Sequence, residues 1–192
     1  MNRLVYLSIL IVLIASCGKE PPEPPSKPVE MSYTNLQDTV IHFHRAAKFD
    51  INGDGAWDVL FITELVGDPI YKVDKMQWLV SSSFYANLPV NANESIPVLQ
   101  MDHQIPVKDF SGYSWYNAST ICLAQKIIGF DSSYWDGDWK IASHNFIPIQ
   151  VVKNRALYNG WIDVSFDASQ ETLILHKAAI SKEAGRDIVA GK

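Results

Sequence analysis

The sequence predicts an all-β protein, a single antiparallel β-sandwich, and three observations carry that expectation. Short segments alternate apolar and polar residues at period two, as half-buried strands do. In residues 39–44, Ile41 and Phe43 fall on one face and His42 and His44 on the other. Residues 59–62, Val59-Leu60-Phe61-Ile62, are apolar on both faces, as a central strand requires. Prolines at 69, 89, 97, 106 and 148 oppose long helices across the middle of the chain, and no segment sustains a 3.6-residue period.

Further strands are expected at 77–80, 96–100, 121–128, 146–152, 160–166 and 172–176, at similar spacing. Residues 94–96 and 181–185 each have room for one turn of helix. No internal repeat of fixed period is present. With 192 residues, 47% hydrophobic and 19% charged, the chain can bury one substantial core but not two. The expected domain covers 32–192. The formal net charge is −5, and no Lys/Arg run exists, so a phosphate-backbone footprint is missing and nucleic acid is not an expected partner.

The first residues read differently. Asn2-Arg3 forms a short positive region, and residues 4–14 are apolar apart from Ser8. That stretch is far short of the ~20 residues of a spanning helix and reads as a secretion signal. Ile14-Ala15-Ser16-Cys17 resembles the lipobox of bacterial lipoproteins. The resemblance implies removal of 1–16 and attachment of palmitate-class acyl chains to Cys17. Each buried methylene contributes ~0.8 kcal/mol, so two or more chains anchor stably. By resemblance to Gram-negative lipoproteins, Gly18 rather than Asp after the cysteine implies outer-membrane sorting, with a periplasmic or cell-surface face. Glu20 and Glu23 are similar to the acidic patch of surface-exported lipoproteins. Prolines 21, 22, 24, 25 and 28 enforce an extended polyproline II spacer within a 17–31 linker, at about 3.1 Å per residue.

The sharpest internal motif is Asp50-Ile51-Asn52-Gly53-Asp54-Gly55-Ala56-Trp57-Asp58. Oxygen side chains stand at loop positions 1, 3, 5 and 9 (Asp50, Asn52, Asp54, Asp58), and Ala56 offers a carbonyl at position 7. A hard cation such as Ca²⁺ takes six to eight such oxygens. The segment resembles the DxNxDGxxD loops of dockerin, integrin FG-GAP and thrombospondin-type calcium sites. It departs from an EF-hand because position 12 is Phe61, not a bidentate Glu. The resemblance implies a structural Ca²⁺. The plainer reading is an Asx turn whose carboxylates cap backbone amides. A second acidic turn at 131–138 reads as a hairpin connection around Asp136-Gly137.

In 161–166, alternation sets Ile162, Val164 and Phe166 on one face and Trp161, Asp163 and Ser165 on the other. Trp161 and Asp163, with Trp135, are candidate sugar-binding residues by chemistry. A tryptophan sealing the rim of the sandwich explains Trp161 equally. Ile128-Gly129-Phe130, Tyr158-Asn159-Gly160-Trp161-Ile162 and Ile188-Val189-Ala190-Gly191 resemble a group of secreted bacterial β-proteins with a late GW[IV] strand. That likeness covers 126–191 and implies a secreted β-fold without catalytic residues. His42 and His44, at i and i+2, project together, a spacing open to metal ligation, but with no Cys or third His nearby a solvated face is the expected reading. His103, His144 and His176 are isolated in sequence. Cys122, in an apolar run, reads as a buried inert thiol.

No GxSxG, HExxH, P-loop or GxGxxG motif is present. The expectation is a membrane-anchored envelope protein with a non-catalytic, Ca²⁺-stabilised β-domain in a binding or structural role, its ligand a glycan or an envelope protein. The alternative is a cell-surface hydrolase of polysaccharide or another envelope polymer. Facing carboxylates among Asp131, Asp136 and Asp163 would support it.

Overall fold

The computed structural model describes residues 27–192. The signal peptide expected at 1–16, the lipidated Cys17 and most of the 17–31 linker lie outside the described residues. Among the described residues every element is a strand and none is a helix. No helix there is long and apolar enough to cross a membrane.

The strands are β1 (Met31–Ile41), β2 (Ala47–Phe49), β3 (Val59–Asp68), β4 (Val73–Ser82), β5 (Ala86–Val90), β6 (Gln104–Ile105), β7 (Ser114–Asn117), β8 (Thr120–Ile128), β9 (Ser133–Asp136), β10 (Asn145–Lys153), β11 (Ala156–Asp167), β12 (Thr172–Ser181) and β13 (Ile188–Val189). One antiparallel sheet has the order β1-β12-β11-β10-β5-β7, and the other β2-β3-β4-β8-β9. β13 and β6 form a separate two-stranded ribbon. The expected sandwich is therefore present.

Alternation explains the main core. Val59 and Phe61 of β3, Trp78 and Val80 of β4 and Leu123 of β8 point inward from the five-stranded sheet. Ile147, Ile149 and Val151 of β10, Ile162 and Val164 of β11, and Leu173 and Leu175 of β12 meet them from the other. Each such side chain contributes about 1.5–3 kcal/mol on burial. A second cluster covers the opposite face of the six-stranded sheet. There Phe146, Trp161 and Ala179 lie under Leu99, Ile105, Ile188 and Ala190. Strands β10 and β11 are thus largely buried on both faces, and β10 accordingly reads as an apolar run from Phe146 to Val152 broken only by Gln150. At Gly160 a Cβ atom would lie 2.5 Å from the Ala179 carbonyl oxygen, so only glycine allows this approach of β11 to β12.

Several expectations are corrected. The first strand, expected at 39–44, runs from Met31 to Ile41 and so begins at the last residue of the expected 17–31 linker. His42 and His44 therefore do not share a strand face: the chain turns through Arg45 N–H donating to the His42 carbonyl, and His44 has φ 66°. Residues 96–100, expected as a strand, contribute only an isolated bridge, Leu99 with Phe146. Neither 94–96 nor 181–185 is helical. The acidic turn contains strand β9, paired with β8.

Two irregularities lie side by side in the six-stranded sheet. Val164 pairs with Leu175 and Asp163 with Lys177, which leaves His176 as an extra residue in β12. On the other side of β12 the register jumps from Asn35 opposite Lys177 to Thr39 opposite Leu175. The intervening Gln37 and Asp38 have φ of 58° and 48°. Bulges of this kind re-aim side chains.

Candidate functional site

The bulge in β12 turns both His176 and Lys177 to the outer face, where strict alternation would expose only one. The left-handed pair in β1 lifts Asp38 toward the same point, and Asp38 Oδ1 stands 2.6 Å from His176 Nδ1. From β11, Ser165 Oγ stands 2.9 Å from His176 Nε2. His144, just before β10, also has positive φ (51°). Its amide donates to Ser165 Oγ at 2.9 Å. Its Nδ1 lies 3.1 Å from Asp163 Oδ1 and 3.3 Å from Oδ2. The two imidazoles stack, centroids 4.2 Å apart and planes at 27°.

Chemically the group is dense. Asp163 is 4% exposed, so its carboxylate is a nearly buried charge that needs a cationic or donor partner. Its hydrogen bonds run to the His144 ring, which is itself largely exposed. Among the described residues, His144, Asp163 and His176 form the one group of three His, Cys, Asp or Glu side chains whose ligand atoms all lie within 4.8 Å of one another. They open on a cleft of about 630 Å³, walled by Tyr33, Asn35, Met101 and Lys177. The order Ser165–His176–Asp38 is also that of a nucleophile, a base and an orienting carboxylate.

Alternation puts Asp163 and Ser165 on a shared outer face, and the structure agrees. It left His144 and His176 isolated, and the structure joins them. The available signal was the break in alternation after Leu173 and Leu175, where His176-Lys177 intervenes before buried Ala178.

The Asp50–Asp58 loop closes on its own amides. Asp50 accepts from the N–H groups of Gly53, Asp54 and Gly55, at 2.7, 3.2 and 2.7 Å. Asn52 Oδ1 accepts from Asp54 N–H, and Asp54 Oδ1 from Ala56 N–H. Gly53 and Gly55 have φ of 73° and 91°. Asp58 is 2% exposed and accepts from the Ile51 and Asn52 amides. Burial pushes its carboxyl up to about 6 against the pull of those amides, and the charges of Asp50 and Asp54 add to the rise. Ligand oxygens of Asp50, Asp54 and Asp58 do not gather within 4.8 Å of one another; each carboxylate accepts from backbone amides of the loop, in the manner of an Asx turn.

The candidate sugar platforms fare differently. Trp161 is fully buried: its Nε1–H donates to the Lys192 carbonyl at 3.1 Å, and Phe146 meets it edge-on at 5.1 Å. The second cluster covers it on the outer face of the six-stranded sheet, and no ring face is exposed. Trp135 is half-buried against Trp78 and Phe166, at 5.2 and 5.0 Å. Asp136 is held by Gln125 Nε2 at the β9 edge of the five-stranded sheet, whereas Asp163 belongs to the six-stranded one. They do not form a facing carboxylate pair. Cys122 is half-buried, and burial, then the Asp136 charge, pushes its thiol up to about 11.

No protein family matches this chain, and neither a curated protein nor a solved structure matches it.

Proposed function

We propose that the protein is a lipid-tethered envelope component whose β-sandwich binds a partner or glycan without catalysis, its Asp50–Asp58 loop steadied by Ca²⁺. The anchor reading rests on the ordered leader ending at Cys17 and the proline-rich spacer after it. The observation that carries the binding role is the outer cleft floored by His144, Asp163 and His176. The register jump in β1 and the extra residue in β12 converge on that one surface group, and such irregularities re-aim side chains where a site needs them. Mass spectrometry of natively produced protein tests the anchor: an acylated peptide beginning at Cys17 is expected, and a chain beginning at Met1 with a free thiol overturns it. Pull-down and a glycan array test the binding role. Loss of capture with Asn35→Ala and Met101→Ala supports the cleft, and capture unchanged by both opposes it.

One specific observation favours the hydrolase alternative, namely the Ser165–His176–Asp38 alignment. A fluorophosphonate probe decides it: covalent labelling of Ser165 that Ser165→Ala removes would establish a nucleophile, and absence of labelling leaves the non-catalytic reading in place.

A further inference from the structure

We infer that His144, Asp163 and His176 form a site for a divalent transition metal of the zinc class. The inference is independent of the lipid anchor and of the Ca²⁺ loop. It starts from donor chemistry: two imidazole nitrogens and one carboxylate are the ligand types of a borderline cation, whereas Ca²⁺ prefers oxygen throughout.

Geometry supports the assignment. In a tetrahedral site with metal–nitrogen distances of about 2.0–2.1 Å, donor atoms stand about 3.4 Å apart. The His144 Nδ1 to Asp163 Oδ1 separation of 3.1 Å already matches that edge, and every pair in the trio lies within 4.8 Å. The two imidazoles stack with planes only 27° apart, so their in-plane lone pairs converge on one ion only when the His144 ring rotates. Its side chain is 65% exposed and sits on a turn, so that rotation meets little packing. Three protein ligands leave a fourth position, which faces the cleft of about 630 Å³.

Asp38 supplies the second argument. A metal-bound histidine characteristically donates its other ring N–H to a carboxylate, which fixes its tautomer and raises its basicity. Asp38 Oδ1 at 2.6 Å from Nδ1 holds His176 in that way, with Nε2 left as the ligand atom. The third argument is charge. Asp163 is nearly buried, and its hydrogen-bond partner His144 is the most solvent-accessible member of the group. A cation between them gives the carboxylate a counter-charge of fixed position. Binding at Nε2 displaces the Ser165 hydroxyl from that nitrogen, so metal binding and a Ser165 nucleophile exclude each other.

The test uses the full chain, tag-free and chelator-stripped in detergent, titrated with Co²⁺ as a coloured probe and then with Zn²⁺ as competitor. One equivalent of Co²⁺ should develop visible absorption, and Zn²⁺ should displace it. Excess Ca²⁺ should have no effect. His176→Gln and Asp163→Asn should each abolish the stoichiometric signal. Asp38→Asn, a second-sphere change, should weaken binding about tenfold to a hundredfold. His144→Asn keeps a residue that tolerates positive φ, so it separates ligand loss from misfolding: an unchanged melt with lost binding supports the site. Absence of saturable binding in a folded wild-type chain overturns the inference. So does binding that survives in the folded His176→Gln, Asp163→Asn double variant, since the metal would then sit elsewhere.

Discussion

Asp38 and His176 meet across the β1–β12 boundary at 2.6 Å, 138 positions apart in the chain. Two departures from regular pairing, one in each strand, are needed to bring them together. Asp38 is largely exposed while the His176 ring is mostly buried. The carboxylate therefore orients the ring more than it stabilises the fold. Asp38→Ala, which removes the acceptor altogether, should lower stability by less than about 1 kcal/mol in urea unfolding. Nitrogen NMR should show the His176 ring losing its fixed Nδ1–H form. A loss of several kcal/mol would assign Asp38 to holding β1 in place instead.

Trp161 should behave as a core residue despite lying on the outer face of its sheet. Trp161→Ala should cost about 3–5 kcal/mol, because Leu99, Ile105 and Ile188 cannot collapse fully into the space it leaves. Trp161→Phe should cost less and expose the lost bond to the Lys192 carbonyl. Acrylamide quenching of a variant retaining only Trp161 should be weak, and strong quenching would contradict its burial.

The buried Asp58 carboxyl links folding to pH. Held at about 6 against a usual 3.8, it takes up a proton on folding at pH values between the two. Its stabilising contribution is complete below 3.8 and fades as the pH rises through 6, by up to about 3 kcal/mol in all. Urea midpoints from pH 4 to 7 should show this downward slope in the wild type. Asp58→Asn, which can still accept from the Ile51 and Asn52 amides, should flatten it.

Calcium provides a separate check on the same loop. If Ca²⁺ is held there, a free concentration a hundredfold above the dissociation constant adds about 2.7 kcal/mol. The melting temperature should then rise with Ca²⁺ in the wild type and stay constant in Asp54→Ala. Superimposable melts of wild type with Ca²⁺ and with chelator would leave the loop as an amide-capped turn.

Cys122 should be inert. With its thiol pushed up to about 11, almost no thiolate exists at pH 8, and disulfide-exchange reagents should modify it only after denaturant is added.

Much of the sandwich was legible because one face of each long strand is apolar at period two. Leu173 and Leu175, or Ile147, Ile149 and Val151, declare an inward face without reference to any partner. The ribbon of β6 and β13 was not legible, since two-residue strands carry no period. Residues 96–100 misled because Pro97 and a single bridge are all that an apolar loop needs to cover Phe146. At the candidate site, Asp163 and Ser165 announced themselves by alternation. His144, His176 and Asp38 did not, because each owes its direction to a backbone irregularity that depends on the neighbouring strand.

The displaced residues Gln37 and Asp38 also change what the molecule presents to its own copies. β1 is an outermost strand, and such strands offer a ladder of free amides and carbonyls to any similar chain that drifts alongside. A pair of left-handed residues and a projecting carboxylate part-way along interrupt that ladder, so two molecules cannot zip together over its full length. The kink that aims Asp38 thus shortens the stretch over which this edge could pair with a second molecule.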